Sequence, residues 1–434
     1  MTASSRRSGQ CEREPAFIDL FAGCGGLSLG LMAAGLRGLF GIEKDRFAFR
    51  TLRSNLIDDK NLWRYDWPAW LSKRSRTVSS LTSNFERELR QLRGAVSLVA
   101  GGPPCQGFSF AGRRHQHDPR NRLFESYAEV VRQVRPAFVL LENVAGVDVA
   151  FGKRDRRANG ASTKGGHTAA YSATIRSTLR QLGYTPFDRV VRCADHGVPQ
   201  LRPRFIVIGV KNSLLQDAAP IDPFLILERN RRAFLEERRL PTDKPVTAKQ
   251  AISDLEVRDR RRAVACEDRP SSKQIAYSHP RTNFQRLMHQ GMNGDSPNSL
   301  RLINHSAETI ARYRHILRTC RPGTKLSSEE RAALGTKKMS IGTLHKDKPS
   351  YTVTSLPDDL LHYSDPRALT VRECARLQTF PDWFAFEGWY GVGGMTRRQL
   401  CPRYTQVANA VPPLLAEQLG MVILELERRL LPAG

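Results

Sequence analysis

Apolar residues fall in short runs along the first half of the chain, each closed by glycine, proline or an acidic residue. The first run, Ala16-Phe17-Ile18-Asp19-Leu20-Phe21, reads as a buried strand. It passes into Ala22-Gly23-Cys24-Gly25-Gly26, and then Leu27, Leu29, Leu31 and Met32 recur at roughly helical spacing. That is strand, glycine-rich turn, helix. A second strand is expected from Leu39 to Ile42, a helix over 71–93, and a third strand over Ala95 to Ala100. A helix at 123–134, a strand at 137–141, a helix at 170–182 and strands at 185–192 and 204–210 follow. Strands alternating with helices predict an α/β fold with an open sheet.

The alternation dissolves between 212 and 350, which predicts a smaller, irregular second domain. It returns near 350. Thr370 with Glu373 three residues later forms a capping box for a helix within 367–381. A long amphipathic helix to about 429 is expected to pack back on the first domain. The expected units are 15–211, 212–350 and a return over 351–430. Residues 1–14 and the Gly/Lys/Arg-rich 152–167 read as mobile segments.

Composition is ordinary for a globular chain of 434 residues, but charge is not. Lys plus Arg number 68 against 43 Asp plus Glu, a formal +25, with a pI near 10.3. Such an excess, spread along the whole chain, points to a polyanionic partner held in a groove, nucleic acid above all. The eight cysteines show no CxxC spacing, so no metal site is expected. No signal peptide is read at the start, and no apolar run is expected to reach membrane-spanning length. The expected setting is intracellular, with free thiols and no membrane contact.

The candidate chemistry gathers at strand ends. Gly101-Gly102-Pro103-Pro104-Cys105-Gln106-Gly107-Phe108-Ser109 follows the third strand. Two adjacent prolines stiffen the backbone before Cys105, and the carboxyl edge of an open α/β sheet is where ligands bind. Locally this stretch suits a nucleophile and an ordinary buried thiol equally. Glu43 ends the second strand about 20 residues past the glycine turn, where a carboxylate bonds a ribose diol or is simply solvated. Asp66 is a third polar contact, at the end of an expected next strand. Glu142 ends the strand at 137–141, where desolvation would let it act as an acid. Residues 106–122, with Arg113, Arg114, Arg120 and Arg122, read as a basic lid. Gln200, Arg202 and Arg204 cluster beside the strand at 204–210.

Five blocks in order, DLFAGCGG (19–26), GGPPCQGFS (101–109), ENV (142–144), QLRPR (200–204) and RALTVRECARLQTFP (367–381) with QVANAV (406–411), resemble the cytosine-carbon-5 DNA methyltransferases. DPRN (118–121) matches that family's catalytic loop. The resemblance implies a Rossmann-like S-adenosylmethionine-dependent methyltransferase domain with a target-recognition domain at 212–350. It implies S-adenosylmethionine as cofactor and double-stranded DNA as partner, with a monomer expected and room for a cognate restriction endonuclease. Residue by residue, Cys105 resembles the nucleophile, Glu142 the carboxyl on the cytosine ring nitrogen and amine, and Arg204 the arginine on the base oxygen. Arg202 joins them as a cation that would lower the thiol pKa. Phe21, Gly23, Cys24, Gly26, Glu43, Asp66, Pro104 and Asn409 are then expected at the cofactor. Gln106, Ser109, Arg113, Arg120 and Gln200 are expected at the DNA. Lys44 departs from the family, which often has an aromatic or apolar residue there to cover the adenine.

Overall fold

The computed structural model describes residues 14–58, 63–104, 123–148, 171–257, 263–266, 269–292, 294–336, 338, 340–391 and 400–431. Cys105, Gln106, Ser109, Arg113, Arg114, Arg120 and Arg122, the lid they belong to and the segment 152–167 lie outside the described residues.

The main sheet is built from β1 (Ala16–Leu20), β2 (Arg37–Ile42), β3 (Leu98–Gly101), β4 (Phe138–Val144), β5 (Tyr184–Arg192) and, after the two-residue strand β6 (Gln200–Leu201), β7 (Pro203–Lys211). Its order is β2-β1-β3-β4-β7-β5. The first four strands are parallel, and β7 runs antiparallel to both β4 and β5. The strand period of two divides each strand between two cores. Phe17, Leu98, Ala100, Phe138, Leu140, Ile206 and Ile208 face one. Ile18, Leu20, Val99, Val139, Leu141, Phe205 and Val207 face the other. Both faces are covered, so the strands are apolar on both sides, as a largely parallel sheet requires. This is the open α/β sheet expected from the sequence.

Register fixes which residues meet at one edge. Leu20 pairs with Ile42 and with Gly101, and Gly101 pairs with Leu141. Antiparallel β7 begins where β4 ends, with Val144 opposite Arg204. The residues following β1, β2 and β3, the end of β4 and the start of β7 therefore share one edge.

Two stretches differ from expectation. Residues 71–93 form two helices, Val78–Asn84 and Glu86–Gln91, not one. No strand forms among the described residues between 57 and 97. There the chain instead runs back along β2, with Tyr65 and Trp67 packed among Phe17, Phe40 and Phe49.

The region 212–350 is mixed. Its helix Pro223–Glu237 packs on the last helix, Pro413–Leu430, through Arg229–Glu425 and Arg238–Glu417 ion pairs. Phe224, Leu227, Phe234 and Leu235 enter the main core. The helices Ala307–Thr319 and Ser328–Ala333 are peripheral by comparison, with Tyr313, Ile316 and Leu326 in a small separate cluster.

After 350 the chain packs against elements of its first half. Thr370 caps the helix Val371–Leu377 with a complete capping box to Glu373. The last helix packs closely on the helix Gly26–Ala34, where Gly30 and Gly420 let the backbones approach. The stretch Arg403–Leu430 is long and apolar enough to cross a membrane by length and composition, which corrects the expectation that no run is. Most of it, 83% of the apolar window, is buried inside the protein, as in a core helix.

Candidate active site

The turn after β1 is held in unusual backbone. Phe21, Gly23 and Gly25 all take positive φ, 60°, 58° and 101°. For a bulky residue such as Phe21 this is a strained conformation that persists only where the surroundings impose it. The surroundings are explicit. Ala22 N–H donates to the Ile42 carbonyl at 2.9 Å, and Gly23 N–H to Glu43 Oε2 at 3.0 Å. Gly25 then caps the helix Gly26–Ala34. A Cβ on Gly23 would meet nothing within 4 Å, so the turn faces open space there. A Cβ on Gly26 would collide with the Val411 carbonyl. Gly26 therefore serves close packing against the return and not open space. The Cys24 thiol is also turned inward, donating to the Gln406 carbonyl at 3.6 Å, and burial pushes its pKa up to about 12.

Glu43 is bound twice by backbone, to Gly23 N–H and, through Oε1, to Asp45 N–H at 2.7 Å. Burial raises its pKa, those two bonds oppose the rise, and the charge of Asp45 adds to it. Asp45 caps the next helix and also accepts from Cys401 N–H at 3.1 Å, tying this corner to the return. Lys44 is exposed. The segment that reaches this edge beside Glu43 is at Arg76, whose N–H donates to the Glu43 carbonyl. Nothing in the local sequence pattern marks it.

Asp66 is elsewhere. Its N–H bonds the Gly38 carbonyl and its carboxylate pairs with Arg37 at 2.5 Å, in solvent. Both partners lie at the amino end of β2. Five residue steps from Arg37 to Ile42 span about 17 Å, which separates Asp66 from Glu43 by most of the sheet. It is corrected from a cofactor contact to a surface ion pair.

Behind the turn, Asp19 is fully buried and accepts from Ser28 Oγ at 2.5 Å, and Tyr65 Oη donates to the same Ser28 oxygen at 2.6 Å. Its Oδ1 has no partner among the described residues. Burial pushes its pKa up to about 7; the Ser28 bond opposes the rise and the charge of Glu43 adds to it.

At the ends of β3 and β4, Glu142 Oε1 lies 2.6 Å from Arg204 Nε. The two residues are 9% and 7% exposed. The other oxygen, Oε2, faces Gly102, where an added Cβ would sit 3.3 Å from it. Asn143 Nδ2 donates to the Pro103 carbonyl at 2.9 Å, anchoring the double-proline turn to β4. Pro104 is half-buried beside it, and the next residue is Cys105. No local pattern marks Asn143 for this role, because its partner lies 40 residues away.

Gln200, Arg202 and Arg204 do not act together. Gln200, expected at DNA, is fully buried. Its Nε2 donates to Leu377 O and Gln378 Oε1, and its Oε1 accepts from Val353 N–H. It is corrected to an internal link. Arg202, expected among the catalytic groups, donates from Nη2 to the carbonyls of Ala408 and Ala410 at 2.6 and 3.2 Å. Between those two residues lies Asn409, exposed at the end of the helix Arg403–Asn409. Of the three, only Arg204 faces Glu142.

The geometry thus offers two adjoining sites on one edge. An open turn with Glu43 and exposed Asn409 suits a nucleoside with a ribose diol. The Glu142–Arg204 pair, with one oxygen uncommitted among the described residues, suits a planar amide-like ring.

Residues 16–425 match the family model for C-5 cytosine-specific DNA methylase. The chain is 30% identical over 417 residues to the type II methyltransferase M1.HphI of Haemophilus parahaemolyticus, covering 94% of this chain and 87% of that protein. It is 29% identical over 414 residues to M.DdeI of Desulfomicrobium norvegicum, covering 93% and 87%. Among solved structures, a candidate DNA modification methyltransferase from an Escherichia coli prophage aligns with a TM-score of 0.62 at 24% identity, covering 95% of this chain and 99% of that one. DNMT2 of Spodoptera frugiperda aligns at 0.51 and 12% identity, covering 95% and 100%. At these identities the structural likenesses show the fold.

Proposed function

The chain belongs to the C-5 cytosine-specific DNA methylases and is a DNA (cytosine-5-)-methyltransferase, and on that premise we propose that it methylates carbon 5 of a cytosine flipped out of duplex DNA, through covalent addition of Cys105. Its relatives are named type II methyltransferases. That supports action at one specific sequence, within a restriction–modification pair with a cognate endonuclease. The observation that carries the reading is the Glu142–Arg204 pair beside the Gly102–Pro104 turn that leads to Cys105.

Cytosine carbon 5 is a weak nucleophile within an aromatic ring. Addition of the Cys105 thiolate to carbon 6 forms a carbon–sulfur bond and leaves carbon 5 enamine-like. Glu142, held by Arg204, bonds the ring nitrogen and exocyclic amine and stabilises the charge that builds there. Arg204 also reaches the base oxygen. S-adenosylmethionine, when bound, supplies an electrophilic methyl group for carbon 5. Loss of the carbon-5 proton to a base and expulsion of the Cys105 thiolate then restore the ring. The cofactor fits the residues present: Gly23 opens the turn, Glu43 presents a carboxylate for a ribose diol, and Asn409 is exposed just before Ala410 and Val411, which lie against Gly26. Flipping the base costs a few kcal/mol, and phosphate contacts from the basic surface offset it. The region following the helix Pro223–Glu237 is the proposed source of target readout.

The test is transfer of labelled methyl from S-adenosylmethionine to duplex DNA by the wild type and by Cys105→Ala. The wild type labels DNA and the variant does not. Continued transfer by Cys105→Ala would remove the nucleophile from this mechanism, and preference for tRNA over duplex DNA would overturn the substrate.

A further inference from the structure

We propose that Arg202 is a positioning residue that joins the cofactor side of the site to the base side by clamping the backbone on both sides of Asn409. The inference rests on the reading of Asn409 as a cofactor contact and of Glu142–Arg204 as the base contact, and it adds a connection between them.

The stretch 200–204 alternates. Gln200, Arg202 and Arg204 are buried, whereas Leu201 and Pro203 are exposed. Each buried side chain goes to a different part of the molecule. Gln200 reaches the helix Val371–Leu377 and Val353, Arg202 reaches Ala408 and Ala410, and Arg204 reaches Glu142. One short segment thus touches the return, the cofactor side and the base side.

Arg202 is 3% exposed and has no carboxylate at ion-pair distance among the described residues. Burial and the neighbouring Arg204 charge both work against its own charge, with Glu142 opposing them. A packing role alone would be met at lower cost by an apolar residue. The guanidinium instead supplies donors to carbonyls that a helix end leaves without N–H partners, because the helix Arg403–Asn409 stops there.

A second donor converges on the same place. Gln378 Nε2 donates to the Val407 and Ala410 carbonyls at 2.7 and 3.2 Å, and Gln378 is itself bonded by Gln200. The Ala410 oxygen therefore accepts from both Arg202 and Gln378. The following carbonyl, of Val411, lies against Gly26 of the cofactor turn. Asn409 is exposed on a segment fixed from beneath by Arg202 and Gln378 and bearing on the glycine turn. Two positions along from Arg202, roughly 7 Å of extended chain, Arg204 holds Glu142. Displacing Arg202 shifts the separation between the two halves of the site, to which group transfer is sensitive.

The test uses the full chain and S-adenosylhomocysteine as probe, with affinity measured by calorimetry and turnover on a duplex that the wild type methylates. Arg202→Met raises the probe's Kd at least tenfold and leaves DNA affinity within about twofold. Arg202→Lys, whose ammonium can donate to the same two carbonyls, recovers most of that loss. Gln378→Met, which leaves Arg202 in place, raises Kd in the same direction by a smaller factor, and it tests the clamp even if Arg202→Met fails to fold. Variants that bind the probe like wild type, or that lose probe and DNA affinity equally, overturn the positioning role. A wild type that does not bind S-adenosylhomocysteine overturns the cofactor reading itself, and this inference with it.

Discussion

Two arginine–carboxylate clusters in this molecule use the same side chains to opposite ends. At the return helix, Arg376 is fully buried between Asp382 and Asp254, with Asp382 bonded at 2.6 Å by both Nε and Nη2. Nη1 also donates to the Ala251 carbonyl, and His289 bonds Asp382 from the far side. The arginine holds the Asp382 carboxyl well below the usual carboxylate range. Every donor direction is met. At the sheet edge, Glu142 and Arg204 share one contact, and Glu142 Oε2 is left toward Gly102 with no partner among the described residues. A saturated cluster specifies structure, here joining the helix Ala248–Ile252 to the helix Val371–Leu377. On the function proposed above, the oxygen without a partner among the described residues is the one that takes a ring arriving from outside.

The contrast makes opposite demands on substitution. Glu142→Gln is expected to lower turnover by roughly 10²–10⁴, with a smaller stability loss than any break in the Arg376 cluster; near-normal turnover would show that the open oxygen has no chemical role. Arg376→Met leaves two buried carboxylates without their cation and is expected to cost about 3–5 kcal/mol of stability, measured by urea unfolding. The protein that remains folded keeps its turnover within a few-fold. If the urea midpoint is unmoved, saturation is not what holds the two helices together.

Asp19 extends the comparison to a carboxyl with no cation at ion-pair distance among the described residues. Its folded pKa is raised from 3.8 to about 7, so folding takes up a proton between those values. That contribution to stability is full below pH 3.8 and is lost as pH rises through 7. From pH 5 to pH 8 the wild type is expected to lose roughly 2–3 kcal/mol that Asp19→Asn does not lose. Parallel pH profiles for the two proteins would contradict the assignment. The smallest effect belongs to the cap. Thr370→Ala removes one half of the capping box with Glu373 and should lower stability by about 1 kcal/mol without changing turnover per folded molecule.

What the sequence revealed and what it hid follow the range of the interactions. The strands, the glycine turn and the Thr370 cap are local patterns, and the residues they place at the sheet edge were legible: Gly23, Glu43, Glu142 and Arg204. Asp66 was misplaced because aromatic packing of Tyr65 and Trp67 sends the chain back along β2, a tertiary effect without a local signature. Gln200 looked like a surface residue because its partners lie more than 150 residues away. Asp254 and Arg376, 122 positions apart, carry no mark of one another for the same reason. Cys24 and Gly26, expected at the cofactor, lie in the turn but pack inward, because of the distant partners Gln406 and Val411.

The central claim is that the residue following the Gly102–Pro104 turn attacks the ring that Glu142 holds. Duplex DNA of random sequence carrying 5-fluorocytosine, incubated with the wild-type protein and S-adenosylmethionine, tests it most directly, because fluorine cannot leave carbon 5 as a proton does. The account predicts a denaturation-resistant protein–DNA adduct whose cross-linked peptide contains Cys105, absent with Cys105→Ala. Methylation of ordinary duplex DNA by the same preparation with no adduct on the fluorinated duplex, or an adduct on another residue, would contradict it.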